Sequence, residues 1–159
     1  MRRWLAALLA CTIVSPTHAG FVVGEPNVES REMRELAQML AQERFLEDIA
    51  IELDKALVVK PKLTLRLVEC DEANAYYDED TRTIDLCLEL LTDLRESFAA
   101  AYESEDEVDD AVAGAFVFFL FHEVGHALID VLELPITGRE EDAADQLAAW
   151  VMIDADEGN

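Results

Sequence analysis

The chain has 159 residues, with 12 Lys plus Arg against 35 Asp plus Glu, a formal charge of -23 and 52% hydrophobic residues. That length holds one domain with a sizeable core, and the hydrophobic fraction excludes a disordered acidic tail. The charge disfavours nucleic acid and anionic membrane surfaces, which call for clustered Lys and Arg, and favours cations, metal ions or basic polypeptides.

Residues 1–19 read as a secretory signal peptide. Arg2 and Arg3 form a positive n-region, Trp4 to Val14 is an apolar h-region, and Thr17-His18-Ala19 puts a small residue at the cut. A membrane anchor would need about 20 apolar residues, and Ser15, Pro16 and His18 interrupt the run too early. Lipid attachment at Cys11 is the lesser alternative, because the apolar segment ahead of it is short. The chain is therefore expected to be exported, to the periplasm or beyond. Cleavage after Ala19 leaves one domain, 20–159, with 10 basic groups against 35 acidic ones, a charge of -25. Cys70 and Cys87 remain, a natural disulfide pair in an oxidising compartment. A bridge there closes an 18-residue loop and stabilises the fold by about 3 kcal/mol in the chain-entropy model. Two free buried thiols or metal ligation are the alternatives, although zinc-type spacing puts cysteines two to four residues apart.

Residues 20–29 carry Gly, Pro and Asn without periodicity and form an extended lead-in. Ser30 caps a helix that runs to about Leu57, because Met33, Leu36, Leu40, Leu46, Ile49, Leu53 and Leu57 return at helical spacing. Pro61 ends it, and Leu63, Leu65 and Leu67 then alternate with Thr64 and Arg66 as a half-buried strand. Asn74-Ala75-Tyr76-Tyr77 has strand composition, and a further strand spans Thr81 to Leu88 after the turn-rich Asp78-Glu79-Asp80. Leu88 to Tyr102 returns to helical composition. Glu103 to Asp110 holds six acids in eight residues. Ser104 and Glu107 have capping-box spacing, so these acids are better read as a helix N-terminus than as a cation site. The helix opened there is apolar on every side from Ala111 to Phe121, as expected of a buried core helix. Pro135 and Gly138 break the chain, and a last helix runs from near Arg139 to about Ile153.

Within the apolar helix lies His122-Glu123-Val124-Gly125-His126, the H-E-x-x-H pattern. Residues four apart share a helix face, so both imidazoles can reach one tetrahedral zinc ion. Glu123 is rotated about 100° from His122, beside the metal, where it can act as general base on a metal-activated water. A hydrogen-bonded core histidine pair is the plainer alternative, but an unpaired buried carboxylate at Glu123 would be costly. Catalytic zinc takes a third protein ligand, and Glu140, Glu141 and Asp142 are candidates on the following helix. Glu141 and Asp145 share a face with Ala144 and Ala148, small residues that let this helix approach Gly125 closely. Glu141 is therefore the expected third ligand, with Asp142 as the fallback. Asp145 is then placed to accept a hydrogen bond from the free ring nitrogen of a ligating histidine.

His122-Glu-Val-Gly-His126 followed by Glu141-x-x-x-Asp145 resembles the gluzincin arrangement of zinc peptidases, in which a glutamate on a second helix completes the site. More closely, Phe121 to Leu147, with Asn74 to Tyr77 and the paired Cys70 and Cys87, is similar to an uncharacterised bacterial family of exported metallopeptidases. The resemblance covers most of the mature chain, and its specificity lies in the two metal motifs. It implies a compact α+β zincin-like domain, a small antiparallel sheet packed on the H-E-x-x-H helix and the ligand helix. It also implies that Asn74, Tyr76 and Tyr77 belong to an edge strand above the metal that pairs with a peptide backbone. Ordinary packing of the two tyrosines is the alternative. Larger gluzincins carry a histidine or tyrosine, usually beyond the third ligand, for the oxyanion, but none of the fourteen residues after Asp145 is His or Tyr. A truncated chain, a borrowed Tyr76, Tyr77 or Arg139, or weak catalysis would each account for that.

The expected function is an exported peptidase with one zinc ion held by His122, His126 and Glu141, with Glu123 as general base and peptides or proteins as substrates. The rival is a non-catalytic zinc-binding or interaction module with a structural metal. An intramembrane protease is disfavoured, because Ala111 to Phe121 is only eleven apolar residues and the mature chain has no second spanning segment.

Overall fold

The computed structural model describes residues 20–157, so the leader assigned to 1–19 lies outside the described residues. Strand β1 (Phe21–Val23) is followed by helices α1 (Arg31–Gln42) and α2 (Phe45–Ala56), then β2 (Leu63–Val68), β3 (Ala75–Asp78) and β4 (Thr83–Cys87). Helices α3 (Leu88–Ala99), α4 (Glu105–Val131) and α5 (Glu140–Glu157) complete the chain. The α+β class expected from the sequence holds, but the sheet is mixed rather than antiparallel. Its order is β1-β2-β4-β3, with β1 and β4 both parallel to β2 and only β3 antiparallel to its neighbour. Parallel neighbours need a long crossover. The α1–α2 pair supplies one between β1 and β2, and the loop through β3 supplies the other between β2 and β4.

The helix expected from Ser30 to Leu57 is two helices. Ser30 does cap the first, its hydroxyl accepting from the Met33 amide at 3.2 Å. Arg44, however, adopts φ 58, a left-handed conformation that ends one helix and starts the next. The turn lets Ala37, on α1, and Leu46, Ala50 and Leu53, on α2, all reach the core. The lead-in also holds more structure than its composition suggests. Phe21 pairs with Leu63 and is buried, and its amide donates to Asp54 of α2 at 2.8 Å.

Helix α4 is the axis of the domain. Ser104 and Glu107 form the reciprocal capping box at its start. Val108, Val112, Phe116, Leu120, Val124 and Ala127 form its buried stripe, recurring every three or four residues. Fully burying side chains such as Phe116 and Leu120 contributes about 1.5–3 kcal/mol each, and the Phe116 ring sits 5.6 Å from that of Phe45. Among the described residues α4 alone is long and apolar enough to cross a membrane. Here it packs against the sheet and against α3 and α5.

Two features place the next layer. Ala144 and Ala148 of α5 are fully buried, and a Cβ built on Gly125 would stand 2.9 Å from the Ala144 Cα, so α5 lies directly on the α4 backbone. Cys70 and Cys87 are disulfide-bonded, with Cα atoms 5.5 Å apart, joining the loop ahead of β3 to the end of β4.

Candidate metal centre

His122 and His126 lie one turn apart on α4, beside its buried apolar stripe and half-buried themselves. Their rings are mostly buried, and their Nε2 atoms face each other at 3.1 Å. The start of α5 meets them with three carboxylates. Glu141 puts Oε2 3.4 Å from His122 Nε2 and Oε1 3.7 Å from His126 Nε2. Asp145 Oδ1 lies 2.9 Å from His122 Nδ1, and Glu140 Oε1 lies 2.7 Å from His126 Nδ1.

Those contacts determine where the ring protons sit. A carboxylate can only accept, so each Nδ1 must carry a proton and donate it. In the neutral ring each Nε2 is then a bare lone pair. Two such lone pairs and the Glu141 carboxylate converge, with ligand atoms all within 4.8 Å of one another. Three acceptors aimed at one point repel unless a cation lies among them. Nitrogens about 2.0–2.1 Å from a tetrahedral zinc ion sit about 3.3 Å apart, close to the spacing of this pair. Two imidazoles and one carboxylate are also a zinc donor set. The residues fit the metal.

Glu123 lies in the same cleft and is nearly buried. Burial pushes its carboxyl above the usual glutamate range, and the nearby Glu141 carboxylate adds to this, while the Tyr77 backbone N–H opposes it. The cleft, about 760 Å³, runs between α4, the start of α5 and β3. Strand β3 is an edge strand of the sheet. The Cys87 amide donates to the Asn74 carbonyl at 3.1 Å. By the alternation of an antiparallel ladder, Tyr76 and Asp78 also turn toward β4 while Ala75 and Tyr77 face away. The Ala75 amide is held by Asn74 Oδ1 at 2.9 Å, so the edge offers mainly carbonyl acceptors to the cleft.

The structure thus brings His122, Glu123, His126, Glu141 and Asp145 together, with Asn74, Tyr76 and Tyr77 lining the same cleft. Asp142 is exposed and belongs to neither the donor set nor the cleft lining. Arg139 does not line the cleft, and the two tyrosine hydroxyls are engaged elsewhere. Tyr77 donates to Asp130 at 2.6 Å, and Tyr76 donates to Glu72. Glu140 is the contact that sequence reasoning missed. Spacing within α5 identifies which acids share a face, and it cannot reveal that Glu140 and Asp145 of α5 serve different histidines of α4. Cys70, Cys87 and Glu89 also cluster, but the sulfurs are bonded to each other and Glu89 accepts from the Cys70 and Asp71 amides, both at 2.9 Å. That cluster is structural.

A protein family described as "Putative metallopeptidase" matches residues 26–159. No curated protein and no solved structure gives a match.

Proposed function

Because the chain belongs to that metallopeptidase family, we propose that it is an exported, zinc-dependent peptidase in which His122, His126 and Glu141 hold the metal and Glu123 is the general base. The observation that carries this reading is the convergence of three acceptor groups on one point, with a nearly buried glutamate beside them in an open cleft. A structural zinc is closed off by four protein ligands, whereas a catalytic one keeps a position open.

Zinc, when bound, supplies a Lewis acid that polarises the scissile carbonyl and lowers the pKa of a water. Asp145 holds His122 as the Nδ1–H tautomer, leaving its Nε2 free to ligate. Burial makes Glu123 a better proton acceptor than an ordinary glutamate. It takes a proton from the attacking water and later delivers it to the leaving amine nitrogen. The Ala75 and Tyr77 carbonyls accept from substrate amides, so a peptide lies along β3 as an added strand. Asp78, Glu79 and Asp80 also line the cleft, and among the described residues no Lys or Arg does, which favours cationic peptides. The 1–19 leader and the Cys70–Cys87 disulfide support export, since such bonds persist in oxidising compartments.

One observation favours the rival, a metal-binding module without turnover. Neither tyrosine hydroxyl is free to hold an oxyanion, and Arg139 is outside the cleft lining. A peptide library incubated with the parent and with Glu123→Gln, at equal zinc content, decides between them. The peptidase reading expects hydrolysis by the parent and a loss of about 10²–10⁴-fold in the variant. Undiminished hydrolysis by the variant overturns the role of Glu123. Zinc in both proteins with no peptide cleaved by either establishes the module.

A further inference from the structure

We infer that Glu140 is a second positioning residue of the metal centre, holding His126 as Asp145 holds His122. The inference rests on the metal-site reading above and extends it to a residue whose place at the first turn of α5 would otherwise need no explanation. An acid there stabilises a helix N-terminus in any case, so the contact itself must separate the two roles.

Three observations do so. Glu140 Oε1 lies 2.7 Å from His126 Nδ1, shorter than the 2.9 Å of the Asp145 contact on His122. Among the described residues it is the one hydrogen-bond partner of that nitrogen, and Glu140 forms no ion pair with a Lys or Arg that would compete for its carboxylate. The ring it holds is mostly buried, at 15% side-chain exposure, so the contact forms at a fixed imidazole rather than a mobile one.

The consequence follows from the histidine's two nitrogens. With the proton held on Nδ1, Nε2 is left as a lone pair and the ring is turned so that it faces His122 and Glu141. Without Glu140 the neutral ring can place its proton on Nε2 instead. That would block ligation from one of the two α4 positions. Residues 140, 141 and 145 then divide the work: one carboxylate ligates and the two others each fix one histidine. The whole carboxylate half of the site rides on α5.

Zinc affinity of the parent, Glu140→Ala and Glu140→Gln, measured by competition with a chromogenic chelator, tests the role. The His126 tautomer is read separately, by long-range proton–nitrogen NMR on the metal-free proteins. The expected result is a 10–100-fold weaker affinity for Glu140→Ala, a smaller loss for Glu140→Gln, which keeps an acceptor oxygen, and a shift of His126 toward the Nε2–H tautomer. Circular dichroism of the metal-free variants confirms that the loss is not one of folding. Parent-like affinity with an unchanged His126 tautomer overturns the inference and leaves Glu140 as a helix N-terminal acid. A parent that takes up no zinc overturns the metal site instead, and the tautomer shift still decides whether Glu140 holds His126.

Discussion

Glu123 and Glu69 show how differently this chain uses its acids. Glu123 is held in a nearly buried place by the apolar helix around it, which raises its pKa. Glu69 is half-buried and sits below the usual range because the Ser30 and Glu29 amides donate to its carboxylate, at 2.7 and 2.6 Å. Since the folded state lowers that pKa, the contribution of Glu69 to stability is complete above the ordinary glutamate range and is lost as pH falls through the folded value. Glu69→Gln is expected to lower the melting temperature near neutral pH, with the difference from the parent closing on acidification. A difference independent of pH would show that the charge is not what matters. At this scale much of the site was legible. Two histidines four apart on one helix and two acids four apart on the next declare their faces by spacing alone. Glu140 was not, because its partner is set by how two helices cross.

At the scale of elements, the packing of α5 on α4 governs the site, and Gly125 governs that packing. A methyl group at this position would meet the Ala144 Cα at 2.9 Å, and backbone cannot step aside as a flexible side chain can. Gly125→Ala is expected to cost about 1–3 kcal/mol in thermal or chemical unfolding, as overpacking does. It should also weaken zinc binding, since Glu140, Glu141 and Asp145 move with α5. Parent-like stability and affinity would show that α5 is not seated this closely. The close approach was readable from Gly125 facing Ala144 and Ala148. The break at Arg44 was not, because Gln42, Glu43 and Arg44 are all compatible with a continuing helix and only tertiary packing demands the turn. Strand β1 escaped for a related reason. Three residues are too few to show a period, and Phe21 becomes a strand residue by pairing with Leu63.

For the whole molecule, the charge of -23 is the property with the widest reach. It disfavours nucleic acid and anionic surfaces as partners and favours cations at a cleft that, among the described residues, no Lys or Arg lines. A cation that binds only the folded chain stabilises it by mass action, by about 2.7 kcal/mol at a hundredfold excess over its dissociation constant. Zinc should therefore couple the site to the stability of the domain. The α+β class was readable from the run of helices and short strands, whereas the mixed pairing was not, because strand direction depends on crossovers that composition does not encode. The proposed zinc ion, held by His122, His126 and Glu141, is what the site's other roles depend on. Elemental analysis of the purified protein and of Glu141→Ala, after dialysis against zinc and then zinc-free buffer, tests this most directly. The expected result is about one zinc per parent chain, a far lower content in the variant, and a higher melting temperature for the loaded parent. A parent that retains no zinc, or a variant that retains as much as the parent, would contradict it.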